Sequence, residues 1–112
     1  MEQLGLEQGM ARAGRTKVWF VSRHPGARDW AARRGLRWDA EVAHLDGTAV
    51  AAGDRVYGTL PCSLAAAVCA AGAEYWHLEL PLTEDMRGRE LTAGELDAVG
   101  ARFVRYDVRR LP

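Results

Sequence analysis

Residues 17–27 of the chain read KVWFVSRHPGA. The stretch begins with an apolar run, residues 18–21, and then changes at once to the hydroxyl, guanidinium and imidazole groups of Ser22, Arg23 and His24. An apolar run without alternation is typical of a strand that is covered on both faces of a parallel sheet. A Pro–Gly pair follows, and proline suits the first position of a helix. The stretch therefore predicts a buried strand that delivers polar side chains to the rim of an α/β sheet.

Length and composition predict a single domain. The chain has 112 residues, enough for one core, and 48% of them are apolar, which argues against disorder. No apolar run reaches membrane-spanning length and no signal-peptide pattern opens the chain, so we expect a soluble, cytoplasmic protein without membrane contact. The formal net charge is zero. This argues against a partner such as long nucleic acid, whose phosphates require a basic surface, but it permits a small anionic ligand.

The order of strand, turn and helix signals is β-α-β-β-α-β-α-β, which predicts a small three-layer α/β sandwich with a mostly parallel central sheet. We divide the chain into a flexible tail, residues 1–15, and one domain, residues 16–112. The strands are expected at residues 17–22, 38–45 (clearest at 42–45), 55–58, 74–80 and 102–108, and the helices at residues 26–34, 63–71 and 92–99. Thr92 and Glu95 have the spacing of a capping box at the start of the last helix.

The connection at residues 46–54 is short for a helical crossover between neighbouring parallel strands. Two alternatives remain open for it. Either the connection is a single helical turn, or the second and third strands are not simple parallel partners.

Two segments share the order strand, small polar turn, helix: residues 21–26 and 57–63. In open α/β sheets, ligands bind at the carboxyl ends of strands, beside helix N-termini whose free amides favour anions. Two such turns side by side would form a phosphate-binding shelf. We assign to this shelf the residues Ser22, Arg23, His24, Pro25, Gly26, Gly58, Thr59, Leu60 and Pro61.

The side chains of the shelf suggest separate roles. Arg23 is the candidate that pairs with phosphate, Ser22 and Thr59 are candidate hydroxyl donors, and the glycines would let the backbone approach the ligand. His24 is the candidate for proton transfer, because imidazole titrates near neutrality; alternatively it is a helix-start histidine that bonds only the backbone. His44 would reach the same rim from the end of the second strand, unless it is a half-buried strand histidine.

The segment 86–91 is charged and contains glycine. We expect either a lid in which Arg87 or Arg89 closes on a phosphate, or a solvated loop. His77 lies in the middle of a strand and is expected to be structural.

Metal and cofactor signals are missing from the sequence. The carboxylates, histidines and cysteines are not spaced as metal ligands, and neither turn matches a Walker loop or a dinucleotide fingerprint, so we expect neither a metal nor a cofactor. Cys62 and Cys69 are expected to be buried free thiols.

Several of these segments together resemble a known family. Residues 19–27 (WFVSRHPGA), 43–46 (AHLD), 53–61 (GDRVYGTLP) and 87–92 (RGRELT) are similar, with similar spacing, to the Csx-sixteen family of small CRISPR-associated proteins that accompany type III systems. The resemblance spans residues 18–108. It implies a Rossmann-like domain similar to the CARF folds that sense cyclic oligoadenylate. It also implies a ring nuclease that cleaves cyclic tetra-adenylate without a metal, as a homodimer that holds the ring across its two-fold interface.

The chemistry that the resemblance implies needs only groups of the shelf. A ribose 2′-hydroxyl of the ligand attacks the adjacent phosphodiester, which yields a linear product with a 2′,3′-cyclic phosphate. Arg23 would stabilise charge, His24 would transfer a proton or stabilise the leaving 5′-oxygen, and Ser22 would assist. Three alternatives stay open: a module that binds the cyclic nucleotide without cutting it, an accessory subunit of an RNA-guided complex, and a small phosphatase or transferase.

Overall fold

The structure, a computed structural model, describes residues 16–112; the predicted tail, residues 1–15, lies outside the described residues. Five strands and three α-helices alternate along this part of the chain, with two short 3-10 turns between them. In chain order they are β1 (Val18–Val21), α1 (Pro25–Arg33), β2 (Ala40–Val42), a 3-10 turn (Gly47–Ala49), β3 (Arg55–Gly58), α2 (Cys62–Ala70), β4 (Glu74–Glu79), a 3-10 turn (Glu84–Met86), α3 (Ala93–Val99) and β5 (Arg102–Tyr106).

The strands form one sheet in the order β2-β1-β3-β4-β5. Strands β1 to β4 are parallel, and β5 is antiparallel to β4. The predicted fold class is therefore confirmed, since a five-stranded, mostly parallel sheet with three helices is compatible with a small Rossmann-like sandwich.

Strand β1 lies between β2 and β3, where the order of connections reverses. Val21, its last residue, pairs with Val42 on one side and with Gly58 on the other. The two alternatives predicted for the connection between β2 and β3 are therefore both correct. Residues 43–54 contain one 3-10 turn, and β2 and β3 are not neighbours. The side chain of Asp46 caps the turn by accepting a hydrogen bond from the amide of Thr48 at 2.9 Å.

The second strand is shorter than predicted, and the expectation that His44 belongs to it is wrong. Strand β2 ends at Val42 because that residue pairs with the last residue of β1. Beyond this point, none of the strands within residues 16–112 continues the ladder of hydrogen bonds. His44 therefore lies in the loop that leaves the sheet.

The two faces of the sheet carry separate apolar layers. Trp19, Val21 and Val56 pack with Val68 of α2. Phe20 points to the opposite face and packs with α1 and α3. This alternation confirms that β1 is covered on both sides, as its apolar sequence predicts.

A buried carboxylate that the sequence analysis did not single out joins the start of β1 to the loop before β3. Asp54 is fully buried. Its carboxylate accepts hydrogen bonds from the indole Nε1 of Trp19 at 3.1 Å, the amide of Ala51 at 2.9 Å and the amide of Lys17 at 3.2 Å. A buried polar group is tolerated where it is hydrogen-bonded in this way.

Candidate functional site

The two predicted turns leave the sheet from adjacent strands at the same edge. Strands β1 and β3 are parallel and end at the paired residues Val21 and Gly58. Beyond them, residues 22–24 lead into α1 on one face of the sheet, and residues 59–61 lead into α2 on the other. A crevice of this kind, where consecutive helices diverge, is the usual ligand site of open α/β sheets.

Two cavities meet at this rim. One has a volume of ≈ 540 Å³ and the other of ≈ 220 Å³, and they share Val21, Arg23, Ala43 and Thr59 as lining residues. The larger cavity is further lined by His44, Leu45, Leu60, Pro61 and Leu64. The smaller is further lined by Phe20, Ser22, His24, Leu78 and Leu80. Arg23 and Thr59 therefore stand at the border between the two spaces.

Most of the residues that the sequence analysis assigned to the shelf are brought together here. Lining one or both cavities are Ser22, Arg23, His24, His44, Thr59, Leu60 and Pro61. The remaining candidates, which line neither of these two cavities, are Pro25, Gly26, Gly58, Arg87 and Arg89.

The turn after β1 presents two exposed cationic or titratable side chains. The hydroxyl oxygen of Ser22 accepts a hydrogen bond from the amide of His24 at 3.0 Å, which holds the turn in shape. His24 is the N-cap residue of α1, but its imidazole makes no capping hydrogen bond, and Pro25 is the first residue of the helix. Within residues 16–112, the side chains of Arg23 and His24 make neither a salt bridge nor a hydrogen bond. Both are available to a ligand.

Internal contacts account for glycine at two of the predicted ligand positions. A Cβ on Gly58 would come within 2.2 Å of the carbonyl oxygen of Val21, and a Cβ on Gly26 within 1.7 Å of that of Leu91. Glycine allows such backbone approaches because it has no side chain. The structure thus gives a packing reason for glycine at these two positions, which were assigned to the ligand shelf from the sequence. The contact at Gly26 also places residue 91 against the start of α1.

A buried tyrosine that was not singled out from the sequence accepts a hydrogen bond from the turn after β3. The amide of Leu60 donates a hydrogen bond to the phenol oxygen of Tyr75 at 3.0 Å. The same oxygen lies 2.7 Å from Nδ1 of His77 and 3.5 Å from the carbonyl oxygen of Gly58. Burial raises the pKa of Tyr75 above its ordinary value, against the opposing effect of the Leu60 amide. The available signal was the spacing of Tyr75 and His77, which places both on one face of β4.

The segment predicted as a lid contains two exposed arginines, of which one forms a salt bridge with another described residue and one does not. Arg89 forms a 2.9 Å salt bridge with Glu95 in the first turn of α3. The amide of Thr92 and the guanidinium of Arg89 together lower the pKa of Glu95. Arg87 is exposed and makes no salt bridge to another described residue of the chain.

Among residues 16–112, no group of three or more His, Cys, Asp and Glu side chains is arranged to hold a metal ion. Cys69 is half-buried, and its sulfur lies 3.5 Å from the amide of Val108. The expectation of two buried thiols is met only in part by Cys69 and is wrong for Cys62, which is exposed. Cys62 begins α2, before the residues of that helix that pack on the sheet. None of the helices described is long and apolar enough to cross a membrane.

A protein-family model matches the part of the chain that contains both turns of the rim. The family is described as "Putative CRISPR-associated protein (Cas_VVA1548)", and its model matches residues 19–109. The chain belongs to this CRISPR-associated family. The matched residues include all five strands almost completely, together with both turns of the rim. No curated protein and no solved structure matches the chain.

Proposed function

We propose that this CRISPR-associated protein is a ring nuclease of type III systems. It cleaves cyclic tetra-adenylate to linear products that carry a 2′,3′-cyclic phosphate, and so ends the signal. The observation that carries the proposal is the position of Arg23 and His24. Both side chains are exposed at the switch point of the sheet, next to Ser22, with no partner among the described residues.

Both cavities combine apolar walls with polar side chains, as a nucleotide site requires. Leu45, Leu60 and Leu64 give the larger cavity apolar walls, which suit a base, and His44 adds a ring at its edge. Ser22 and His24 give the smaller cavity a polar side next to its apolar walls, and a sugar or phosphate group would lie on that polar side. Arg23 borders both, where the phosphodiester between two nucleotides would lie.

The reaction balances without a metal. The 2′-hydroxyl of the ligand loses its proton and its oxygen bonds to phosphorus, while the bond from phosphorus to the 5′-oxygen breaks and that oxygen gains a proton. Arg23 stabilises the negative charge that develops on the phosphoryl oxygens. His24 supplies or accepts a proton. Ser22 holds the amide of His24 and so orients the turn.

A homodimer fits the ligand. A cyclic tetranucleotide carries four phosphates, and a two-fold arrangement of two copies doubles the number of Arg23 side chains that face it. The formal net charge of zero does not oppose this, because only local cations need to face a small ring.

The test is incubation with cyclic tetra-adenylate in excess chelator, followed by chromatography and mass analysis. We expect linear di-adenylate with a 2′,3′-cyclic phosphate. Arg23→Ala abolishes cleavage, and His24→Ala lowers kcat by about a hundredfold or more. Arg33→Ala is the matched control, because Arg33 is exposed at the opposite end of α1, and it cleaves normally.

Other results would decide against this function or this mechanism. Tight binding with an intact ring after long incubation supports the alternative of a module that only binds cyclic oligoadenylate. Cleavage that requires added metal overturns the mechanism. Near-normal turnover by Arg23→Ala overturns the assignment of that residue.

A further inference from the structure

The phenol of Tyr75 lies beneath the turn that follows β3. Tyr75 is only 3% exposed. Its hydroxyl oxygen is 3.0 Å from the amide nitrogen of Leu60 and 3.5 Å from the carbonyl oxygen of Gly58. One buried oxygen therefore contacts the backbone on both sides of Thr59.

The amide of Leu60 depends on this phenol. Strand β3 ends at Gly58, so the amide of Leu60 lies beyond the ladder of the sheet. Its hydrogen bond to Tyr75 is the one that the described residues provide for it. Leu60 is itself buried, and a buried amide without a partner is costly. Loss of the phenol hydroxyl therefore drives the turn toward a different conformation.

The turn that the phenol supports carries part of the candidate site. Thr59 lines both cavities and Leu60 lines the larger one. We propose that Tyr75 is a positioning residue, which acts through the backbone of Gly58 and Leu60 to hold Thr59 and Leu60 in register with Arg23 across the rim. This inference rests on the proposed function for its effect on cleavage, whereas the hold on Leu60 stands on the contacts alone.

His77 orients the phenol but does not hold the turn directly. When its Nδ1 is unprotonated, it accepts the hydroxyl hydrogen of Tyr75 at 2.7 Å. When Nδ1 carries a proton, the phenol turns its hydrogen toward the carbonyl of Gly58 and still accepts from Leu60. The groups facing His77 are Tyr75 and Glu79 on its own strand and Tyr106 and Arg102 on β5, where Tyr106 and Arg102 both donate to Glu79. Removing Nδ1 of His77 therefore disturbs the turn less than removing the phenol hydroxyl of Tyr75.

The experiment compares three single variants of the full chain. Tyr75→Phe removes the hydroxyl that holds Leu60. His77→Phe removes Nδ1 but keeps a ring against Tyr106. Tyr57→Phe is the matched control, because Tyr57 lies on the neighbouring strand and packs on the opposite face, against Trp76 and Phe103. The readouts are amide hydrogen exchange at Leu60, measured by NMR, and kcat and KM for cyclic tetra-adenylate.

In Tyr75→Phe we expect exchange at Leu60 to rise about tenfold or more, while exchange in the centre of β1 stays as in the wild type. We expect kcat to fall about tenfold with a smaller change in KM, because misplacement affects the transition state most. In His77→Phe we expect exchange at Leu60 and kcat each to change by less than about threefold. In Tyr57→Phe we expect neither quantity to change.

Two outcomes overturn the inference, and both differ from failure of the proposed function. Unchanged exchange at Leu60 in Tyr75→Phe shows that the phenol does not hold the turn. Wild-type kcat in that variant shows that the hold does not serve cleavage. If the wild-type protein neither cleaves nor binds the ring, the proposed function fails, and exchange at Leu60 alone decides whether Tyr75 positions the turn.

Discussion

Gly58 and Val21 meet where the two central strands of the sheet end. The backbone of Gly58 has φ 143°, and a Cβ there would lie 2.2 Å from the carbonyl oxygen of Val21. The turns that carry Arg23 and Thr59 begin immediately after these two residues. The closeness of the strands therefore sets the distance between the two halves of the candidate site.

Gly58→Ala is expected to disrupt this contact. The methyl group would meet backbone, which cannot move aside without separating β1 from β3, so we expect a loss of more than about 3 kcal/mol in the free energy of unfolding. Gly53→Ala is the matched control. Gly53 has φ 89° but no neighbouring atom in the way, and its replacement costs about 1 kcal/mol. Urea denaturation measures both, and equal losses would contradict the steric argument.

Asp54→Ala is expected to destabilise the fold by about 3 kcal/mol or more, because it leaves the indole of Trp19 and two backbone amides without their acceptor. Asp54→Asn keeps one acceptor oxygen and loses less. Asp29→Ala, at an exposed position of α1, serves as the control and changes stability little. Thermal or urea denaturation gives the ranking, and an Asp54→Ala protein as stable as Asp29→Ala would show that the buried carboxylate is dispensable.

The capping box at the start of α3 is expected to contribute measurably to stability. Thr92 accepts from the amide of Glu95 at 3.1 Å, and the carboxylate of Glu95 accepts from the amide of Thr92 at 2.9 Å. Thr92→Ala removes one of these bonds and costs about 1 kcal/mol. Thr92→Ser keeps the hydroxyl and stays close to wild type. The same loss in both variants would mean that the methyl group, not the cap, is what matters.

Tyr75 is expected to make stability fall in alkaline solution. Burial raises the pKa of its phenol in the folded state, so the folded protein favours the neutral form more than the unfolded chain does. The resulting stabilisation is complete below the ordinary pKa of about 10 and is lost as pH rises through the higher folded pKa. Urea denaturation from pH 9 upward should therefore show a steeper decline for the wild type than for Tyr75→Phe. If the stability of the two proteins declined equally with pH, ionisation of Tyr75 would not be the cause of the decline.

The two arginines of the predicted lid are expected to differ. The guanidinium of Arg89 is paired with Glu95, whereas that of Arg87 has no salt bridge within residues 16–112. If the segment closes on the ligand, Arg87→Ala weakens binding of cyclic tetra-adenylate by about tenfold and Arg89→Ala by less. Calorimetric titration of each variant measures this. A larger loss in Arg89→Ala, or no loss in either, would decide against a lid based on Arg87.

Much of the fold was predictable because local signals agreed with one another. The apolar run before Ser22 indicated a covered strand, and the Thr92–Glu95 spacing marked a helix start. The ends of β2 and β5 were harder to place. A strand ends where its neighbour's backbone ends, and a single segment carries no information about its neighbour.

The candidate site likewise has one part that was predictable from the sequence and one part that was not. The polar turns around Arg23 and Thr59 were visible because parallel strands deliver their carboxyl ends to one edge. The roles of Tyr75 and Asp54 were not visible, since an isolated phenol or carboxylate does not reveal which distant amides it will accept from.

By itself, the sequence determined the α/β class, the order of the elements and the two polar turns, because hydrophobic pattern, caps and breakers act over a few residues. Only the tertiary structure decided that β1 separates β2 from β3, that Gly58 and Gly26 serve backbone contacts, and that Tyr75 supports the turn beside Arg23. Those facts depend on contacts between residues far apart in the chain, and such contacts exist only once the sheet has assembled.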